Sequence, residues 1–281
     1  MMMKQNPFSL YDFLGYFIPG SICFFIFLNY KDIFDFKNFE QIVYTSQNFS
    51  TSLDSVTLFI VFSYILGHIA SFLSSITIER YTIWRYGFPS KYLLRIDQKS
   101  YWKSANNFTD YAWRLIVIIS FFPLILLDYI LGTILNFRKF YQQSLDQSLT
   151  DLIILKINKL LNKLGCSEIV NYKDSETLKN YDFHRILYHY AYENSKNHQQ
   201  KLSNYVALYG FLRTLTFIFA TLASYFFYKL IFEIFTIWSF ESVTITTIIS
   251  LLAYVLYMSF MKFYRRFSLE CLMVTAISDY S

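Results

Sequence analysis

The chain has 281 residues, of which 54% are hydrophobic, 21% aromatic and only 16% charged, with a formal net charge of +5. That balance is too apolar for a soluble domain of this length. Its cysteines, Cys23, Cys166 and Cys271, are widely scattered, with neither a CxxC pair nor metal-ligand spacing, so neither a disulfide framework nor a zinc site is indicated.

The first predicted element is the apolar run 8–28, which carries Asp12, Gly15, Tyr16, Pro19 and Gly20. It lacks the basic leader and small-residue cleavage site of a signal peptide and reads as a retained span. The second run, 56–78, has His68 as its one strongly polar residue. At about 1.5 Å per residue it crosses a roughly 30 Å hydrocarbon core. Tyr64, His68, Ser71 and Ser75 share one face of this helix, with Gly67 and Ser74 beside it. Such a stripe marks either a helix–helix seam or an aqueous path, so these four are pore-lining candidates. A membrane-embedded hydrolase using His68 as base for a serine is the weaker reading, because small polar residues in spans more often pack helices.

Segment 115–135 is apolar but holds Pro123 and Asp128. Crossing here would carry Arg138, Lys139, Lys262, Arg265 and Arg266 to the wrong side for the charge rule. A charge at a span centre also costs about 2.5–3.5 kcal/mol, and proline removes a helix hydrogen bond. The expectation is two short helices kinked at Pro123, dipping into the membrane or forming a cytoplasmic core. Residues 151–164 follow as an amphipathic helix capped by Thr150 or Asp151 and ended by Gly165, with Lys156, Lys159 and Lys163 on its polar face. From Asp182 no Gly or Pro occurs until Gly210, which predicts one long helix running into the next span. His184 and His189 do not share a helical face, and a His189–Glu193 pair is a surface contact.

Runs 215–232 and 243–261 are the last two spans, the latter carrying Thr244, Thr247, Ser250 and Tyr254 at helical steps as further pore-lining candidates. Their connecting loop has Glu233 and Glu241 and no basic residue. With both termini and the middle region on one side, 22 of the 25 Lys and Arg lie there, the positive-inside pattern. The predicted fold is therefore an all-α integral membrane protein with four transmembrane helices. It comprises an N-terminal pair (1–78), a helical cytoplasmic region (79–210) and a C-terminal pair with its tail (211–281). Asp12 has Arg80, Arg114 and Arg213 as candidate ion-pair partners. Residues 79–214 hold 18 basic against 11 acidic side chains. That excess suits an anionic ligand at Lys156, Lys159, Lys163 and Arg185, and equally suits anionic headgroups at about 1 kcal/mol per cation. GxSxG, HExxH, Walker and GxGxxG patterns are all missing, and the chain reads as a non-enzyme without cofactor or metal.

The stretch Tyr11–Gly20 (YDFLGYFIPG), Gly67-His68 running into Glu79-Arg80 and Gly87-Phe88-Pro89-Ser90, and the closing Arg265–Glu270 (RRFSLE) resemble parts of uncharacterised multi-span bacterial membrane proteins. These in turn resemble the membrane effectors of anti-phage defence, including the Hailong-type ion-channel effector. The resembling pieces cover about a quarter of the chain. The resemblance implies a gated pore in the bacterial inner membrane, controlled by a nucleotide or oligonucleotide that a neighbouring enzyme would produce. Four spans in one chain enclose little room for an ion path, so a closed homo-oligomer, a tetramer, is expected. The competing reading is a non-conducting sensor or scaffold that recruits a soluble partner.

Overall fold

The computed structural model describes residues 12–28, 53–96, 101–165, 182–232 and 240–278, all of them helix or connection with no strand. A wide π turn, Phe13–Phe17, leads into α1 (Ile18–Leu28), which packs on α2 (Leu53–Ser74). The two backbones touch. A Cβ built on Gly20 would lie 1.6 Å from the Ser63 carbonyl oxygen, and one on Gly67 would lie 1.9 Å from that of Tyr16. Only glycine permits such an approach. Around this contact Tyr16 stacks on His68 at 3.8 Å, and Phe24 on Phe62 at 5.8 Å.

A second π turn, Ser75–Glu79, carries α2 on into α3 (Arg80–Tyr86). Gly87, at φ 79°, closes that helix, and Pro89 opens α4 (Pro89–Leu93), where its missing N–H is no loss. The last two helices, α9 (Lys196–Phe232) and α10 (Phe240–Ile277), make the largest helix–helix contact of the fold. Three helices, Val56–Leu93, His198–Phe232 and Phe240–Ile277, are long and apolar enough to cross a membrane. The protein is thus an all-α, multi-pass membrane protein. Each of the three also continues well past the expected span, which builds a second layer of helix ends. The first helix, Phe13–Leu28, is shorter, and the start of its expected span lies outside the described residues.

Segment 115–135 becomes α5 (Phe108–Ser120) and α6 (Phe122–Leu127), the latter extended by a third π turn, Asp128–Ile134. The two arms meet at 89°. The corner is at Phe121 (φ −121°, ψ 31°), not at the expected Pro123. Proline is tolerated in a first helical turn, so Pro123 starts α6 instead of kinking it.

Two further boundaries differ from expectation. Helix α7 (Gln147–Lys163) is capped by Asp146, whose Oδ1 accepts from the Leu149 N–H at 2.9 Å, and not by Thr150 or Asp151. Its apolar face, including Ile153, Ile157 and Leu160, is buried with Leu93, Leu187 and Leu272. The expected single helix from Asp182 is broken at Ser195 (φ −123°, ψ 75°) into α8 (Phe183–Asn194) and α9. Asn194 and Ser195 supply the break, since short polar side chains compete for backbone hydrogen bonds. Asn194 donates from its amide to the Tyr190 carbonyl at 2.9 Å.

Candidate functional site

The most unusual chemistry lies where the bent pair meets the long helices. Asp128, first residue of the third π turn, is completely buried. Tyr81 donates to its Oδ2 at 2.7 Å, and Tyr86 reaches Oδ1 and Oδ2 at 2.7 and 2.8 Å. Tyr141, beyond the bent pair, donates to Oδ1 at 3.2 Å. Three phenols thus satisfy the oxygens of one buried carboxyl group, as burial of a polar group requires. Arg85 adds positive charge nearby by donating to Thr133 Oγ1, in the same π turn, at 2.8 Å. Helix α10 closes the cage with Tyr254 and Tyr257, and Thr82 donates to the Tyr257 hydroxyl at 3.2 Å. Gly132 leaves the necessary room: a Cβ there would come within 2.8 Å of Asp128 Oδ1 and 3.1 Å of the Tyr141 oxygen. The Tyr254 hydroxyl is buried at this spot as well.

The polar stripes are distributed differently from a single lumen. Tyr64 and His68 lie against Tyr16, with ring centroids 6.1 and 3.8 Å away, and so belong to the α1–α2 seam. The Arg213 guanidinium reaches Ser74 Oγ at 3.0 Å and the Ser71 carbonyl at 3.4 Å, while Ser75 donates to its own helix at the Phe72 carbonyl. On α10, Thr244, Thr247 and Ser250 each donate to a carbonyl four residues back. Ser250 and Tyr254 are buried, whereas Thr247 is exposed.

Among the ion-pair candidates, Arg213 pairs with Glu79. Arg114 is buried over the rings of Trp84 (4.8 Å) and Tyr101 (5.4 Å) and donates to Ser104 Oγ at 2.9 Å. Arg80 is exposed, and Asp12 is the first described residue before the leading π turn. The proposed anion stripe divides. Lys156 donates to the Ser278 carbonyl at 2.9 Å, and Lys159 and Lys163 are exposed. Arg185 pairs with Asp182 at 3.2 Å and lines a cavity together with Lys91, a cavity that none of the three lysines lines.

One further cluster ties α9 to α10. Glu270 accepts from Lys201 Nζ at 2.7 Å and lies 2.8 Å from His198 Nδ1. Burial raises its pKa, but the hydrogen bonds and charge of Lys201 and His198 outweigh that and hold the carboxyl below its usual range. Among the described residues no group of three or more His, Cys, Asp or Glu is placed to hold a metal ion. No protein-family model matches the chain, and no curated protein or solved structure shows significant similarity to it.

In the sequence Asp128 stands out only as an insertion cost for a span. The signal was nonetheless present, because an ionisable residue inside an apolar run marks a functional position by default. Tyr81, Tyr86 and Tyr141 carried no such signal, being three of 25 tyrosines.

Proposed function

We propose that the chain is one subunit of an oligomeric, gated membrane pore. It would sit in the bacterial inner membrane with both termini cytoplasmic, act as an effector of anti-phage defence, and open or close under an anionic, nucleotide-like signal made by a partner enzyme. The observation that carries this reading is the bent pair α5–α6, turned by 89° and held by a buried carboxylate. A hairpin of this kind at membrane depth is tolerated only where protein or a water-filled cavity surrounds it, and it recurs in channels and transporters. A second support is continuity. The three long helices run without a break from apolar segment into polar layer, apart from the turns around Gly87, so displacement of their ends reaches the membrane. A third is the row of exposed apolar residues on α2, including Leu58, Val61, Ile65, Ile69 and Phe72, a surface for lipid or for a neighbouring subunit.

Ion flux through purified protein in liposomes tests the proposal. Conductance that Asp128→Asn alters in open probability or size supports it, and protein that inserts but never conducts refutes it. Native mass spectrometry is expected to give a closed ring, a tetramer. Cysteine at Ser239 is expected to be labelled from outside intact cells and cysteine at Ser175 to be protected. The competing sensor or scaffold reading draws on one specific observation: Tyr64, His68, Ser71 and Tyr254 are engaged or buried within the single chain. Any conduit would then run along other faces.

A further inference from the structure

A cavity of about 490 Å³ lies between α4, α8, α9 and α10, within the layer where the long helices end. Its walls are aromatic and braced against each other. Tyr188 meets Phe267 edge-on at 5.4 Å, and Tyr209 meets the same ring at 5.6 Å and Tyr264 at 5.1 Å. Such walls hold their shape without a ligand and favour a flat ring. The walls also carry polar groups. The His184 imidazole packs its edge against Phe267 at 5.5 Å, and its Nε2 is buried with no hydrogen-bond partner among the described residues. Burial pushes this imidazole down to about 4, so it is neutral near pH 7. Charge is asymmetric as well, because Lys91 and Arg185 line the cavity against the single carboxylate of Asp182.

We infer that this cavity binds a small, planar ring compound bearing one anionic group. The ring lies among Tyr188, Tyr209 and Phe267, and the anion meets Lys91 and Arg185. This deepens the gated-pore reading and rests on it for its consequence. An occupant touches α4, α8, α9 and α10 at once, and three of these continue into helices that cross the membrane. Phosphate-bearing lipid is the alternative occupant that the test must separate.

The full chain in nanodiscs of neutral lipid is titrated with adenosine 5′-monophosphate and with indole-3-acetate, and binding is followed by saturation-transfer NMR. The expected result is saturable binding of at least one probe, weakened five-fold or more by Arg185→Gln and abolished by Val206→Trp, which fills the cavity. Arg185 is mostly exposed, so its replacement leaves the fold intact even where the tryptophan variant does not fold. Failure of both probes to bind, or binding indifferent to Arg185→Gln, overturns the assignment. So does loss of binding when phosphatidylglycerol is added, which would make a headgroup the occupant. Liposome flux measured with and without probe keeps the two claims apart: flux without binding refutes the cavity alone, and binding with no flux under either condition refutes the pore alone.

Discussion

Arg213 of α9 and Glu79 of the second π turn form an ion pair whose side chains are only 13% and 21% exposed. Ser74 accepts from Arg213 Nε at 3.0 Å, so the guanidinium is held from two sides. The pair fastens the first of the three long helices to the second at the level where apolar sequence gives way to polar. Replacing one partner leaves the other charge half-enclosed and unmatched.

A double-mutant cycle of Arg213→Met and Glu79→Leu is expected to show coupling of about 0.5–3 kcal/mol, as for contacting charged residues. Thermal unfolding in detergent reads it. The double variant should be more stable than Arg213→Met alone, and additive losses would mean that the contact contributes nothing.

Asp128→Ala removes the common acceptor of Tyr81, Tyr86 and Tyr141, leaving three buried hydroxyls to find others. Each buried polar group without a partner costs about 1–3 kcal/mol, so a loss of several kcal/mol is expected. Asp128→Asn keeps one acceptor oxygen and should lose less, and Tyr86→Phe about 1 kcal/mol. Equal stability of wild type and Asp128→Ala would show that the cage holds nothing in place.

Glycine substitutions separate contact from propensity. Gly67→Ala places a methyl into the Tyr16 backbone and must push α1 away, at about 1–3 kcal/mol. Gly210→Ala meets no atom within 4 Å and should be neutral or stabilising by up to about 1 kcal/mol. The same effect from both would remove the close α1–α2 approach as the cause.

Two groups outside the spans set the acid response. His184 has its pKa depressed by burial to about 4, below its unfolded value of roughly 6.5. As pH falls between these values the unfolded chain binds a proton that the folded chain refuses, so stability declines across that window. Glu270 has a folded pKa lowered below the ordinary carboxylate value, so its stabilisation is present above that value and fades as pH drops through the lowered one. Melting temperature from pH 7.5 to 3.5 should therefore fall in two stages. His184→Phe should flatten the first stage and Glu270→Gln the second.

How far the residues disclose the architecture depends on the kind of signal. Runs 56–78, 215–232 and 243–261 are legible because apolarity over that length has few other uses. Their continuation to Leu93, back to Lys196 and on to Ile277 is less so, since amphipathic helix after a span looks like any surface helix. The break at Ser195 lacks Gly or Pro and depends on local side-chain competition, and Asp146 competes with Thr150 and Asp151 for the cap. The Asp128 cage depends on tyrosines drawn from distant parts of the chain, and no local pattern encodes such a meeting. The stripe at Tyr64 and His68 was visible as polarity, but only the path of α1 assigns it to a seam.

The order in which the cage parts leave the ribosome has a consequence for how the protein is made. Tyr81 and Tyr86 emerge first, then Asp128 and Tyr141, while Tyr254 and Tyr257 come near the end of the chain. At about 5–20 residues per second, Asp128 waits on the order of ten seconds for the helix that covers it. During that interval its carboxylate depends on the three earlier phenols and on whatever water or insertion machinery surrounds it. Final seating of the bent pair is thus deferred until α10 arrives, and a nascent chain stalled before Tyr254 should present an unsealed acidic hairpin to quality-control proteases.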